Sequence, residues 1–188
     1  MARNAIPTFT TNQLITAAFM NTYIKDNEAE HWGRISSLEN QIIPLQRQDV
    51  AIVGRNSAQS IGNDTEVSLQ WNVNSHVTDP GMHSTSSNPD KLYAVNSGVY
   101  LITLNGGFVP NGNGQRHLAI RLVGGTTLAF EGQSGLAIEG NFFSLAAIVY
   151  LNSGQYVYAT AWQSSGAALD FRYEVTNYPA FAMHLLKG

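Results

Sequence analysis

The side chains of this chain that could carry chemistry are five histidines, thirteen acidic residues and a serine set among glycines. A metal site needs several ligands at one point, and His31, His76, His83, His117 and His184 include no pair at helical ligand spacing, so zinc is not expected. His76, Asp79 and His83 share one long polar stretch and would meet at a metal only if it folded back; they read as solvated loop residues. Cysteine is absent, which removes thiolate sites and disulfides together. Glycoside cleavage asks for two carboxyl groups about 5 to 9.5 Å apart across a cleft, whereas Glu131, Glu139, Asp170 and Glu174 are scattered acids on strand edges. Ser134, in Gly132-Gln-Ser-Gly135, reads as a turn residue without the spacing or strand-turn-helix setting of a nucleophile elbow. Gly106-Gly107 and Gly112-Asn-Gly114 lack the lysine and following helix of a phosphate cradle. The expectation is therefore no catalysis, no metal and no cofactor.

Binding chemistry is bounded by charge. The net charge is −3 and no Lys/Arg cluster occurs, so nucleic acid is not an expected partner. Only 12% of residues are charged, about half the usual share, and that depletion is what a partner-covered surface produces. No run approaches the ~18 apolar residues of a spanning helix, so membrane insertion is not expected. Met1-Ala-Arg-Asn-Ala-Ile-Pro-Thr8 lacks the apolar region of a signal peptide.

Two unlike parts must position whatever binds. In residues 1–48, Thr10 and Gln13 form a capping box with Phe9 and Leu14 as a hydrophobic staple. Leu14, Ala18, Phe19, Thr22 and Tyr23 then recur at three- and four-residue intervals as one apolar stripe. Gly33 weakens the pattern and Ser36 with Glu39 offers a second capping box, so the segment is two helices or one bent helix. Ile35, Leu38, Ile42 and Leu45 make an a/d seam of under two heptads, and Pro44 should stop the helix near Ile43. A helix packed on its own domain and a neck joining several copies both fit that seam.

From Val50 onward the period changes to short alternating runs: 51–53, 66–73, 99–108, 117–123, 127–130, 142–151, 156–162, 169–175 and 180–186. Glycine- and asparagine-rich turns separate them, and roughly ten such strands make a sandwich or barrel. Residues 74–90, with Pro80, Gly81 and Pro89, read as an ordered surface loop. The aromatic residues fall on both parities of their strands, so one face cannot bury them all and some should lie between subunits.

Ala94-Val-Asn-Ser-Gly98-Val-Tyr100-Leu-Ile-Thr-Leu104 and Val149-Tyr-Leu-Asn-Ser-Gly154-Gln-Tyr-Val-Tyr-Ala159 are each an alternating strand launched from a glycine turn. Together they resemble the paired core strands of the C1q and tumour-necrosis-factor (TNF) class of jelly-roll domains. Ser57-Ala-Gln59-Ser resembles that class's early strand, Trp71-Asn-Val73 with His83, Asn88-Pro89 and Leu92 its long first connection, Arg116-His-Leu-Ala-Ile120 a middle strand, and Gln163-Ser-Ser-Gly166 its Gln-x-Ser-Gly turn. The resemblance covers residues 49–188 and implies an all-β jelly-roll sandwich behind a short helical segment. It also implies a homotrimeric binding head, with Tyr100, Tyr156, Tyr158 and Phe181 at the trimer interface and Ile35, Leu38 and Ile42 as the neck. Gln155 stands where the class usually carries an acid after the late glycine, so a calcium role there does not carry over, and no collagen repeat precedes the head.

Leu14-Ile-Thr-Ala-Ala-Phe-Met-Asn21-Thr-Tyr-Ile-Lys-Asp26-Asn27 is similar to a short leader that opens appendage and minor structural proteins of tailed bacteriophages. That likeness implies a virion protein made in the host cytoplasm and displayed on the particle exterior, as a capsid decoration or head-fibre protein. Leu14, Ala18, Phe19 and Tyr23 would anchor it to the major capsid protein or another virion structural protein. The alternative is a receptor-binding tip of a tail fibre or baseplate, whose loops 74–90 and 109–116 touch host surface glycan.

Overall fold

A computed structural model describes residues 17–46, 49–173 and 179–187. The chain divides into two compact units, Met1–Arg47 and Gln48–Gly188. In the first, α1 (Ala17–Gln46) is one continuous helix, so Ser36 starts nothing new and Gly33 is spanned. Pro44 does not end the helix either. A proline removes the amide bond to the carbonyl four residues back and crowds that turn, and with Pro44 two residues from the helix terminus only that one bond, to residue 40, is lost before the helix ends. The capping box of Thr10 and Gln13 lies outside the described residues.

The second unit is a two-sheet antiparallel sandwich of β1 (Val50–Gly54), β2 (Gln59–Ile61), β3 (Val67–Ser68), β4 (Val73–Val77), β5 (Lys91–Tyr93), β6 (Gly98–Phe108), β7 (Gln115–Leu122), β8 (Thr127–Ser134), β9 (Asn141–Leu151), β10 (Tyr156–Gln163), β11 (Leu169–Phe171) and β12 (Ala180–Lys187). One sheet runs β2-β11-β6-β12-β1-β4 with β9 also paired to β6, and the other runs β3-β10-β7-β8 with β5 paired to β10. Alternation decides which side chains enter between the sheets. Along β6, Tyr100, Ile102 and Leu104 point inward, and along β12 so do Phe181, Met183 and Leu185. Trp71 stacks on Phe181 with centroids 5.6 Å apart, and Phe108 meets Phe143 and Phe171 edge-on at 6.3 and 5.7 Å. Such pairs add to the burial of aromatic area that dominates a core.

Two expectations change here. The segment 74–90 is not all loop, because Val73–Val77 pairs with β1 as an edge strand. Its middle residues Asn74, Ser75 and His76 are exposed, and polar residues on a sheet edge erase the hydrophobic alternation by which a strand is read. The strand expected over 66–73 shrinks to Val67–Ser68, although Leu69 and Trp71 remain fully buried and bond through their amides to Ala159 and Pro89 carbonyls.

The two glycine-launched strands are also not partners, since β6 and β10 lie in opposite sheets. What joins them is their turns. Gly154, at φ 85°, donates its amide to Ala94 O, while Ala94 donates to Gln155 O, and the Ser153 hydroxyl reaches Val95 O at 2.7 Å. Gln155 takes part through its side chain, whose oxygen accepts the Asn152 amide at 2.8 Å. The repeated Asn-Ser-Gly thus clips the two sheets together at one end of the sandwich.

His83, 3% exposed, ties the long connection down. Its Nε2 faces Pro89 O at 3.2 Å and its Nδ1 lies 2.6 Å from the Asn74 side-chain amide. Burial pushes its pKa below the usual 6.5, against smaller upward pulls from the Pro89 hydrogen bond and the Asp90 charge. As pH falls through 6.5 the unfolded chain takes up this proton first, so the fold loses stability until the folded-state pKa is passed. Thermal midpoints measured between pH ~7.5 and ~5 should therefore fall more for the wild type than for His83→Gln, whose amide keeps donor and acceptor capacity without titrating. Parallel profiles would show that His83 contributes nothing to the acid limb.

Candidate functional site

The strands β1, β12, β6 and β9 carry apolar residues on both faces, and only one face meets the other sheet. Their outward residues align in ladder rows: Val50, His184, Leu101 and Ile148 in one; Ile52, Ala182, Thr103 and Ala146 in the next; Gly54, Ala180, Asn105 and Ser144 in a third. Val99 faces Tyr150 beside the first row. The three full rows hold no Asp, Glu, Lys or Arg, and charge stands only at the margins, where Lys187 pairs with Val99 and Arg172 lies over the outward Phe142 ring. Ile148, Tyr150 and Ile52 are 68, 59 and 37% exposed. A sheet face this apolar is ordinarily covered, because leaving it in water forfeits roughly 25 cal/mol per Å² of apolar area.

Of the four residues expected at the trimer interface, two lie inside the chain and two on the other sheet. Tyr100 and Phe181 are fully buried inside the single chain, and the Tyr100 hydroxyl donates to Asn96 O at 2.7 Å, so neither offers surface to another copy. Tyr156 and Tyr158 lie half-exposed on the opposite sheet, where Tyr156 packs against Tyr93 at 5.4 Å and beneath Lys91 Nζ at 4.7 Å. Of the neck set, Ile35 and Leu38 are exposed on α1, whose backbone also carries Ile42. Of the anchoring set, Ala18 is exposed, Phe19 and Tyr23 lie on the backbone of α1, and Leu14 is outside the described residues. The outward residues of β1, β12 and β9 were missed, and the signal for them was the near-continuous apolar run of β9, which reads as a strand covered on both faces.

The second sheet's outer face differs in kind. Across β10, β7 and β8 it holds a shallow depression of about 200 Å³ lined by Glu66, His117, Ala119, Arg121, Phe130, Thr160 and Trp162. Its floor is small, since Thr160 and Ala119 pair across the strands. On one side His117 lies flat on Trp162 with centroids 4.5 Å apart, and Phe130 tilts against His117 at 5.1 Å. Gly132, cross-strand from His117, makes room for that ring, because a Cβ there would come within 2.9 Å of it. On the other side Arg121 forms an ion pair with Glu66 and donates to Thr127 Oγ1 at 2.6 Å, while Thr160 donates to Glu66 Oε1 at 2.7 Å. Burial would raise the Glu66 pKa, but the hydrogen bonds from Arg121 and Thr160 and the charges of Arg121 and His117 outweigh it and hold the carboxyl below its usual range. Burial lowers the His117 pKa against the pull of Glu66, which favours the neutral ring.

The remaining candidates do not converge. Both ring nitrogens of His83 are engaged, and no group of three or more His, Asp or Glu among the described residues is placed to share a metal ion. Ser134 closes β8 opposite Gln115 rather than sitting in a turn. Glu131 accepts from Gln133 at 2.8 Å, Glu139 and Asp170 are exposed, and Glu174 is outside the described residues. Gln163 is fully buried and holds the Gln-Ser-Ser-Gly turn by donating to Ile61 O and Ala167 O and accepting from the Ser165 amide. The loop 109–114 is held by Arg116, whose buried guanidinium donates to Asn111 O, Asn113 O and Gln115 O at 3.0, 2.8 and 2.9 Å.

No protein-family description and no curated protein matches this chain. Solved structures do. The Eiger TNF of S. frugiperda superposes with a TM-score of 0.56 at 13% identity, covering 75% of this chain and 94% of that one. Murine APRIL at pH 5.0 gives 0.56 at 13%, covering 74% and 100%, and its pH 8.0 form gives 0.55 with the same identity and coverage. Identity this low speaks to fold alone, and the fold is that of a TNF/C1q-like jelly roll.

Arg116→Lys cannot reproduce a fork of donors to three carbonyls. It should lower unfolding stability by about 2–4 kcal/mol and speed amide exchange across 109–114, read by urea unfolding and hydrogen–deuterium exchange. Unchanged exchange there would show that the loop is held by other contacts.

Proposed function

We propose that residues 49–188 form a homotrimeric binding head in which three copies bury the charge-poor face of β1, β12, β6 and β9. That face carries the reading. The apolar rows led by Ile52, Leu101 and Ile148 need cover, and the resemblance to C1q- and TNF-class heads supplies the stoichiometry. The helix adds to it. Met20, Ile24, Ile35 and Leu38 share one face of α1 at helical spacing and are all exposed, and a helix without a covered apolar face has little to stabilise it. Association of copies through a neck would cover it.

The head belongs, in this reading, to the exterior of a tailed-phage virion as a capsid decoration or head-fibre protein, joined to the major capsid protein or another structural protein by its N-terminal segment. Support comes from the leader-like run Leu14 to Asn27, with Leu14, Ala18, Phe19 and Tyr23 as the anchoring residues. The second reading, a receptor-binding tip of a tail fibre or baseplate, draws on the rigid 109–114 loop, because loops preorganised on a scaffold bind at lower entropic cost.

Sedimentation of the wild type should return three chain masses at micromolar concentration, and a monomer would overturn the trimer. Ile148→Glu places an ionised carboxylate in each buried face, so its dissociation constant should rise by about a hundredfold or more, while the far-ultraviolet spectrum stays that of the folded head. Separately, deleting residues 1–30 should leave a folded head that no longer joins particles, and continued incorporation would refute the anchor.

A further inference from the structure

We infer that the depression between β7, β8 and β10 is a saccharide-binding subsite, taking one sugar ring with its apolar face toward Phe130 and its hydroxyls toward Glu66. The ligand follows from what the pocket offers and lacks. Arg121 spends its donors inside the fold, on Glu66, Thr160, Thr127 and the Gly125 carbonyl, so it has little left for an anion. Phosphate or carboxylate ligands would also meet the charge of Glu66 directly.

Glu66 is the group turned to account. All its described hydrogen bonds fall on Oε1, none reaches Oε2, and the side chain is 46% exposed. An ionised carboxylate fixed in place by Arg121 and Thr160, with one oxygen unspent, accepts hydroxyl protons through short charge-assisted bonds. Across the floor of Ala119 and Thr160 from it stands Phe130, 57% exposed. The C–H face of a pyranose carries slight positive charge and packs on the negative face of an aromatic ring. His117, held neutral, adds ring nitrogens that no described residue hydrogen-bonds, one a donor and one an acceptor.

A quaternary ammonium also likes rings and a carboxylate, but it needs several ring faces turned to one point. Here Trp162 and His117 lie within 22° of parallel and each covers a face of the other, which leaves a platform and not a cage. At about 200 Å³ the space is also below the ~300–1,000 Å³ of sites for drug-sized apolar ligands. A small amphipathic polyol is what remains. The inference deepens the glycan-contacting reading of the head by placing the contact on a sheet face in addition to the loops, and it does not depend on trimer formation.

The test uses the full chain and four probes: methyl β-glucopyranoside, methyl β-galactopyranoside, N-acetylglucosamine and tetramethylammonium. Saturation-transfer NMR should show at least one sugar bound with millimolar affinity, with transfer strongest to its ring C–H protons. Phe130→Ala and Glu66→Gln, both at exposed positions, should each weaken that sugar by about tenfold, and melting curves confirm that they fold. No transfer from any sugar up to ~100 mM, undiminished binding by both folded variants, or a response to tetramethylammonium alone would each overturn the inference. Sedimentation on the same samples separates the two ideas: a monomer that binds sugar refutes the trimer only, and a trimer that binds none refutes this subsite only.

Discussion

Everything in this head depends on one sheet being apolar on both sides. In β6, β12 and β1 the inward parity builds the core with Tyr100, Ile102, Phe181 and Val53, and the outward parity is largely apolar too, with Leu101, Ala182 and Ile52 beside the polar His184, Thr103 and Asn105. The second sheet covers only the first set. Burial of the inward set stabilises the monomer, while the outward set stands to gain by the same physics once another surface arrives. The low charge of the chain belongs to the same constraint, since the three central rows that need cover hold no formal charge and Lys187 and Arg172 stand only at their margins.

That constraint also divides labour between the sheets. The second sheet alternates in the ordinary way, with Leu118, Ile120, Val157 and Ala159 inward and His117, Arg121, Tyr158 and Trp162 outward. Its outer face carries an ion pair, rings and hydroxyls fixed by one another, which is the composition of a surface meant to stay wet. The clip between the Gly98 and Gly154 turns binds the two sheets at one end, and Arg116 and Gln163 fasten loops and turns elsewhere through buried donors to carbonyls. The frame is thus held by backbone-directed polar side chains, and charge is largely kept off one of its two faces.

How much of this was legible in the sequence follows from the range of each interaction. The long strands, their glycine turns and a sandwich or barrel were readable, because alternation and turn chemistry are local, and the resemblance of those motifs to the C1q and TNF class supplied the jelly roll. The parity of β6 was not. Tyr100 and Leu101 are one residue apart and both apolar, and period 2 says that they face opposite ways without saying which way is in. The resemblance therefore put Tyr100 and Phe181 at an interface, whereas the structure seals them in the core. The Glu66 depression was invisible for another reason: its partners Arg121 and Thr160 lie 55 and 94 residues away in sequence and meet only through pairing of β10 with β3 and β7.

The placement of the two faces settles how association and ligand binding would combine. They lie on opposite sides of one sandwich, so copies joined through β1, β12, β6 and β9 would each still present the Glu66–Phe130 depression to solvent. A platform that shallow binds one sugar ring weakly. Three such sites on one body would turn later contacts into intramolecular events at high effective concentration, so avidity could exceed the single-site affinity by about 10²–10⁴ without any new contact. Weak single sites combined in this way would give contacts that are reversible one by one, where one tight site would hold fast at its first encounter.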